Sequence, residues 1–272
     1  MILEALEYLM TPCPKWARDF GYLSESIAIR HRAKRCADAW KPHQDQTKAA
    51  ILENCPDDAE TIVVLGAGHC FDIPVPELAR RCRNLVLVDA VRPMGLCLPR
   101  NTEFLTRDIH GLSLCLFEGR NRHQRGEPLQ EFSGADYVVS ANLISQLPIL
   151  PLRHLARLGL AADLPPQDGL AAQIQRDHIA DLKALSGRAV LIGDARRVVR
   201  DRSDKVLSDE ALTKLMLLPT PMRSWSWHLV PPGENSDGRT VEIDVGVWMF
   251  RPDVANGRKR DLSTLDPLLG AS

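Results

Sequence analysis

The run Thr61-Ile-Val-Val-Leu-Gly66-Ala-Gly68-His-Cys-Phe-Asp72-Ile-Pro74 constrains the fold of this chain more than any other stretch. Ile62, Val63, Val64 and Leu65 are apolar without a break, the pattern of a strand buried on both faces. Gly66 and Gly68 then allow a tight turn and a close approach of backbone to ligand. A helix opening just beyond them turns unpaired N–H groups and its positive dipole end toward an anion. Asp72 is placed to cap that helix, with Pro74 tolerated in its first turn.

The residues after the glycines exclude two other versions of this element. A pyrophosphate-binding dinucleotide fingerprint needs a small residue three positions after the second glycine, where this chain has Phe71. A phosphate-cradling P-loop needs a Gly-Lys-Ser/Thr sequence, and the chain has none there. A second apolar run, Leu85-Val-Leu-Val, ends at Asp89, 23 residues after Gly66. An acid there is placed to accept both hydroxyls of a ribose. Strand, glycine turn, helix, strand and acid in this order predict an adenosine-type ligand at the switch point of a sheet.

The rest of the chain fits an α/β class. Strands are expected at residues 61–65, 84–89, 103–106, 135–140 and 188–193, with helices at 74–81, 150–158 and 171–185 among them. Further on, Trp225, Trp227 and Leu229 alternate with polar partners, a Pro/Gly/Asn turn covers 231–238, and Val241, Ile243, Val245 and Val247 alternate again. That pattern predicts an antiparallel hairpin closing one edge of a doubly wound, mostly parallel, seven-stranded sheet. Residues 1–57 carry no strand pattern and read as a helical extension. There Pro12 and Pro14 break the first helix and Ser24 caps the next. Ile29, Ala33, Cys36, Ala37 and Trp40 share its apolar face, and Pro42 stops it. The expected organisation is a helical lid over 1–57, a Rossmann-like domain over 58–252 and a loosely held tail over 253–272.

With 272 residues, 44% hydrophobic and 25% charged, the chain buries a full core without disulfides or structural metal. Its seven cysteines form no CxxC pair, so they read as reduced, mostly buried thiols rather than a zinc site or disulfide framework. A net charge of -1 gives no reason for a DNA or acidic-membrane partner. The clusters Arg120, Arg122, Arg125 and Arg258-Lys-Arg260 are short and lack interleaved aromatics, so they make no nucleic-acid patch. No apolar run approaches the ~20 residues that span a bilayer. The acidic start lacks the basic flank of a secretory signal, and the expectation is a cytoplasmic protein.

On Val63-Val-Leu-Gly66-Ala-Gly68, Val86-Leu-Val-Asp89 and the C-terminal hairpin, residues 58–250 resemble the class I S-adenosylmethionine-dependent methyltransferases. The resemblance implies S-adenosyl-L-methionine as cofactor, with Gly66, Ala67 and Gly68 at its methionine end and Asp89 and Ala90 at its ribose. It implies Asp108 and Ile109 at the adenine, and Asn142 in the segment that passes under the transferred methyl group. Two positions depart from the family: Val64 stands where many members carry an acid, and Cys70 where a third glycine is frequent. Asn142 is followed by Leu143-Ile144 rather than Pro-Pro-aromatic, which leaves the accepting atom open.

On the substrate side the candidates are Arg30, His110, Ser145 and Gln146. Arg30 flanks the apolar stripe of its helix, facing either solvent or a carboxylate in the pocket. His69 and His110 are either loop histidines or a base or substrate ligand. Asn142, Ser145 and Gln146 line the acceptor side or cap the helix after Pro148, and Asp108 has the alternative of a turn acid before a glycine. Two functions compete: methyl transfer to an acceptor, small molecule favoured over protein or RNA, and a non-catalytic or regulatory Rossmann-like binding module. A nicotinamide-dependent enzyme comes third.

Overall fold

The computed structural model describes residues 2–121, 124–160, 167–212 and 218–251. Its strands are β1 (Ala59–Leu65), β2 (Cys82–Asp89), β3 (Thr102–Thr106), β4 (Tyr137–Ala141), β5 (Arg188–Arg200), β6 (Val206–Ala211), β7 (Arg223–Val230) and β8 (Thr240–Phe250). They form one sheet in the order β3-β2-β1-β4-β5-β8-β7, with β6 added to β5. The first five pair in parallel, whereas β6, β7 and β8 pair antiparallel. The order runs outward in both directions from the β1–β4 pair. That is the switch point, where ligands bind in open α/β sheets.

The helices are α1 (Ile2–Met10), α2 (Lys15–Phe20), α3 (Tyr22–Arg35), α4 (Ala37–Asn54), α5 (Val75–Arg80), α6 (Leu112–Phe117), α7 (Ile149–Arg157) and α8 (Gln167–Ala184). Successive side chains of a strand point to opposite faces. Ile62 and Val64 therefore meet Trp40, Ala50 and Ile51 of α4, while Val63 and Leu65 meet Leu155 of α7 and Ile174 and Leu182 of α8. A third cluster joins Trp16, Ala17, Leu23 and Ile27 to Ala90 and Val91, laying α2 and α3 over the end of β2. The expected α/β class, the mostly parallel sheet and the hairpin all stand.

Several local expectations do not. Among the described residues the sheet has eight strands, not seven, because β5 runs on past the parallel layer and offers an edge that β6 fills, with Arg196 paired to Asp209 at 2.6 Å. β6 is largely exposed, so no alternation marks it in the sequence. The helix expected through Trp40 is two, α3 and α4, meeting at Cys36. Gly21, left-handed at φ 96°, opens α3 at Tyr22, so Ser24 lies inside the helix rather than capping it. Pro42 does not end α4, because the buried face formed by Trp40, His43, Thr47, Ala50 and Ile51 outweighs one lost backbone bond. Asp72 does not cap α5, whose N-cap is Pro74. The thiols are free, but only Cys36, Cys55 and Cys115 are buried, and Cys97 is exposed. The tail expected over 253–272, with Arg258 and Arg260, and Arg122 lie outside the described residues. Among the described residues no helix is long and apolar enough to cross a membrane, and no three His, Cys, Asp or Glu side chains gather as a metal site.

Candidate functional site at the switch point

Gly66 leaves β1 at φ 80°, and a Cβ there would lie 2.9 Å from the Ala141 carbonyl and 3.2 Å from the Leu143 Cβ. The end of β4 thus passes too close for any side chain. Gly68 is also left-handed, at φ 46°. Its N–H donates to Asp89 Oδ2 at 2.8 Å, and the Ala90 N–H donates to Oδ1 at 2.7 Å. The Val91 N–H also acts on this carboxylate, which offers about four lone-pair sites, so acceptor capacity is left for a ligand. Burial pushes the Asp89 carboxyl up, and backbone N–H groups pull it back. Cys70, in the place of the frequent third glycine, keeps a left-handed φ of 57°. Burial pushes its thiol up to about 12.

The N-terminal helices close over this loop. The Tyr22 hydroxyl lies 2.8 Å from Ser113 Oγ, and burial together with the carboxylates of Asp108 and Asp89 pushes the phenol up. Tyr22 therefore stands beside both acids that the resemblance assigns to the cofactor. His69 Nε2 is 2.9 Å from the Ser26 carbonyl, its ring stacks on Phe71 at 5.2 Å, and burial lowers its pKa. Asp108 Oδ2 accepts the Leu114 N–H at 2.7 Å, tying it to the start of α6, and burial pushes its carboxyl up. Ile109 packs into the α7 and α8 face, and Ala67 and Ala90 are buried. His110 is buried, with neither ring nitrogen in a hydrogen bond and Nε2 3.8 Å from Asp177.

At the end of β4, Asn142 takes a left-handed φ of 48°. Its Nδ2 donates to Asp72 Oδ2 at 2.6 Å, which explains why Asp72 is not free to cap α5. The same nitrogen is 3.3 Å from His43 Nε2. Trp225 Nε1, a donor only, gives its proton to His43 Nδ1 at 3.1 Å. The ring stacks on Trp227 at 4.0 Å, and burial lowers its pKa to about 3. A neutral imidazole accepting at Nδ1 carries its proton on Nε2, which leaves Nε2–H and Asn142 Nδ2 facing each other as two donors. Asn142 Oδ1, meanwhile, is buried without a partner. Turning the amide over satisfies His43 and obliges Asp72 to hold a proton, the direction in which burial pushes that carboxyl. Amide orientation and the Asp72 proton are coupled.

Ser145 donates to Asp194 Oδ2 at 2.6 Å, while Gln146 is exposed on the turn before α7. Arg30 does not reach into the crevice: it pairs with Glu7 of α1 at 2.6 Å. The fold thus brings together Gly66, Gly68, Asp89, Ala90, Asp108 and Asn142 around the strand ends, with Ser145 alongside. Sequence reasoning passed over Tyr22, His43, Asp194 and Trp225 as site residues. Asp194 carries a readable signal, an acid just past an apolar strand as at Asp89. His43 falls on the apolar face of α4 with Trp40 and Thr47, where a core histidine looks the same.

Strand order and a glycine loop at the switch point define a Rossmann-like α/β protein. No family model matches the chain, and no curated protein matches it. Among solved structures, the crystal structure of PH0851 is similar at 14% identity and a TM-score of 0.35, over 75% of this chain and 45% of that one. The chain spans less than half the length of that structure.

Proposed function

We propose that this protein is an S-adenosylmethionine-dependent methyltransferase. The observation that carries the reading is Asp89 at the end of β2, its carboxylate anchored by the N–H groups of Gly68 and Ala90 with acceptor capacity left over. A ribose suits that donor and acceptor set, since its two hydroxyls donate where the backbone does not. Space supports it too, because a Cβ at Gly68 would meet only Asp89 Oδ2, at 3.7 Å. The antiparallel pair of β7 and β8 beyond β5 is the C-terminal hairpin on which the resemblance partly rests.

When bound, the cofactor supplies a methyl group on a positively charged sulfur. Asp89 accepts the ribose hydroxyls, and Asp108 and Tyr22 border the adenosine. α3 excludes water from the loop through the Tyr22–Ser113 and Ser26–His69 contacts. Asn142, with Asp72 behind it, and Ser145, with Asp194 behind it, orient the acceptor at the end of β4. Catalysis on this reading is alignment and desolvation more than covalent help.

Calorimetric titration with S-adenosylmethionine and S-adenosylhomocysteine, with NADH as control, tests the reading. Micromolar binding of the first two, about -8 kcal/mol, is expected. Asp89→Ala should weaken it by about 1.5–3 kcal/mol. Binding of NADH alone would overturn the proposal, and tight binding without transfer to any fraction of an extract would favour a regulatory module.

A further inference from the structure

Past the end of β4, β5 continues between β6 and β8 and carries Asp194 and Arg197. In the sheet register Asp194 lies opposite Val245, which lies opposite Trp225, and Arg197 lies opposite Ile243, which lies opposite Trp227. Residues opposite one another in neighbouring strands share a face. Val245, Ile243 and Trp227 belong to the core beneath α4, so Asp194 and Arg197 are on the α4 face, the face of Asn142's partner His43. The Asn142 N–H, bonded to the Ile192 carbonyl at 2.8 Å, and the Ser145 hydroxyl on Asp194 bring the end of β4 to the same place.

The neighbouring arginines of β5 are neutralised. Arg196, on the opposite face, pairs with Asp209 and Asp244, and Arg200 with Asp204. Arg197 is half-buried and, among the described residues, makes no ion pair or hydrogen bond. Its cross-strand neighbour Glu210 receives the Ser208 hydroxyl instead. Burial pushes the Asp194 carboxyl up, against the Ser145 hydrogen bond and the Arg197 charge, yet Asp194 and Arg197 form no ion pair, and only Oδ2 of Asp194 is hydrogen-bonded, by Ser145. The α4 face therefore carries a planar five-donor fork and a carboxylate oxygen that, among the described residues, form no hydrogen bond or ion pair with the protein.

We infer that Arg197 anchors an oxyanion, carboxylate or phosphate, carried by the methyl acceptor, and that Asp194 Oδ1 receives an O–H or N–H of the same molecule. The guanidinium fork matches two oxygens of such a group at once, which a lysine would not. That the anion belongs to a methyl acceptor rests on the methyltransferase reading. The anion site itself does not.

The full chain, alone and with S-adenosylhomocysteine, is titrated with benzoate, phenyl phosphate and the neutral benzamide, and binding is followed by ligand-detected NMR. At least one anionic probe should bind more tightly than benzamide, and Arg197→Gln should weaken it by about ten- to a hundred-fold, the range of a lost charge-assisted hydrogen bond. Arg197→Lys should keep part of the affinity, and benzamide should be indifferent to both. Preference for benzoate assigns a carboxylic acceptor, and preference for phenyl phosphate a phosphorylated one. Thermal unfolding of Arg197→Gln should match the parent, because no protein bond is removed. Equal binding of all three probes, or anion binding untouched by Arg197→Gln, would sink the inference even if S-adenosylhomocysteine binds. Arg197-dependent anion binding without S-adenosylhomocysteine binding would keep the anion site and remove the methyltransferase.

Discussion

Asp72 and Asn142 share a hydrogen bond whose direction depends on one proton, and this is testable by substitution. Asp72→Asn imitates the protonated acid and should leave stability within about 1 kcal/mol of the parent, while Asp72→Ala strands the buried Asn142 amide and should cost about 1–3 kcal/mol. Urea unfolding of both variants checks it, and equal losses would mean that the pairing contributes nothing. Gly66→Ala is a second case. A Cβ 2.9 Å from a backbone carbonyl at φ 80° should cost about 1–3 kcal/mol or more, read in the same experiment. At this scale much was legible. Gly66 and Asp89 stand out because a left-handed turn and an acid at a strand end restrict which residues serve. Asp72 was misread, because a helix cap and a side-chain partner call for the same short acid, and only the position of Asn142, 70 residues away, decides between them.

Among the elements, α4 shows where sequence rules yield to packing. Pro42 withholds the N–H that would reach the Asp38 carbonyl, yet the helix runs on to Asn54 because its buried face lies across the sheet. Pro42→Ala, at an exposed position, should therefore raise stability by about 1–3 kcal/mol, and an unchanged or lower urea midpoint would show that the helix has already adapted. β6 and α6 escaped the sequence reading for another reason. β6 is formed by the edge of β5 and α6 follows the left-handed Gly111, so context, not their own periodicity, sets them. The parallel strands were readable because burial on both faces demands unbroken apolar runs, which solvent-facing elements never need.

Over the whole molecule, buried histidines shape the response to acid. Burial holds His43 and His178 at pKa values of about 3, against an ordinary 6.5. As pH falls the unfolded chain takes up these protons first, so their contribution to stability is complete above 6.5 and is lost between 6.5 and 3. Asp72, Asp89, Asp108 and Asp194, whose carboxyls burial pushes up, act in the opposite sense and take protons earlier when folded. Comparing variant with parent isolates the histidine. His178→Gln should flatten the loss of unfolding free energy below pH 6.5 by up to about 1.4 kcal/mol per pH unit, and parallel profiles would refute the assignment.

The position of β8 has its own consequence for how the chain comes into being. The last strand among the described residues is an interior one, held between β5 and β7. On a ribosome the first five strands can assemble in order as they emerge, but β7 has no strand partner until residues 241–247 of β8 have been made. Nascent or shortened chains ending ahead of β8 thus carry two open edges, β5 and β7, ready to pair with another copy. Such chains should be clients of chaperones, and a stop codon late in the reading frame should be as damaging as an early one.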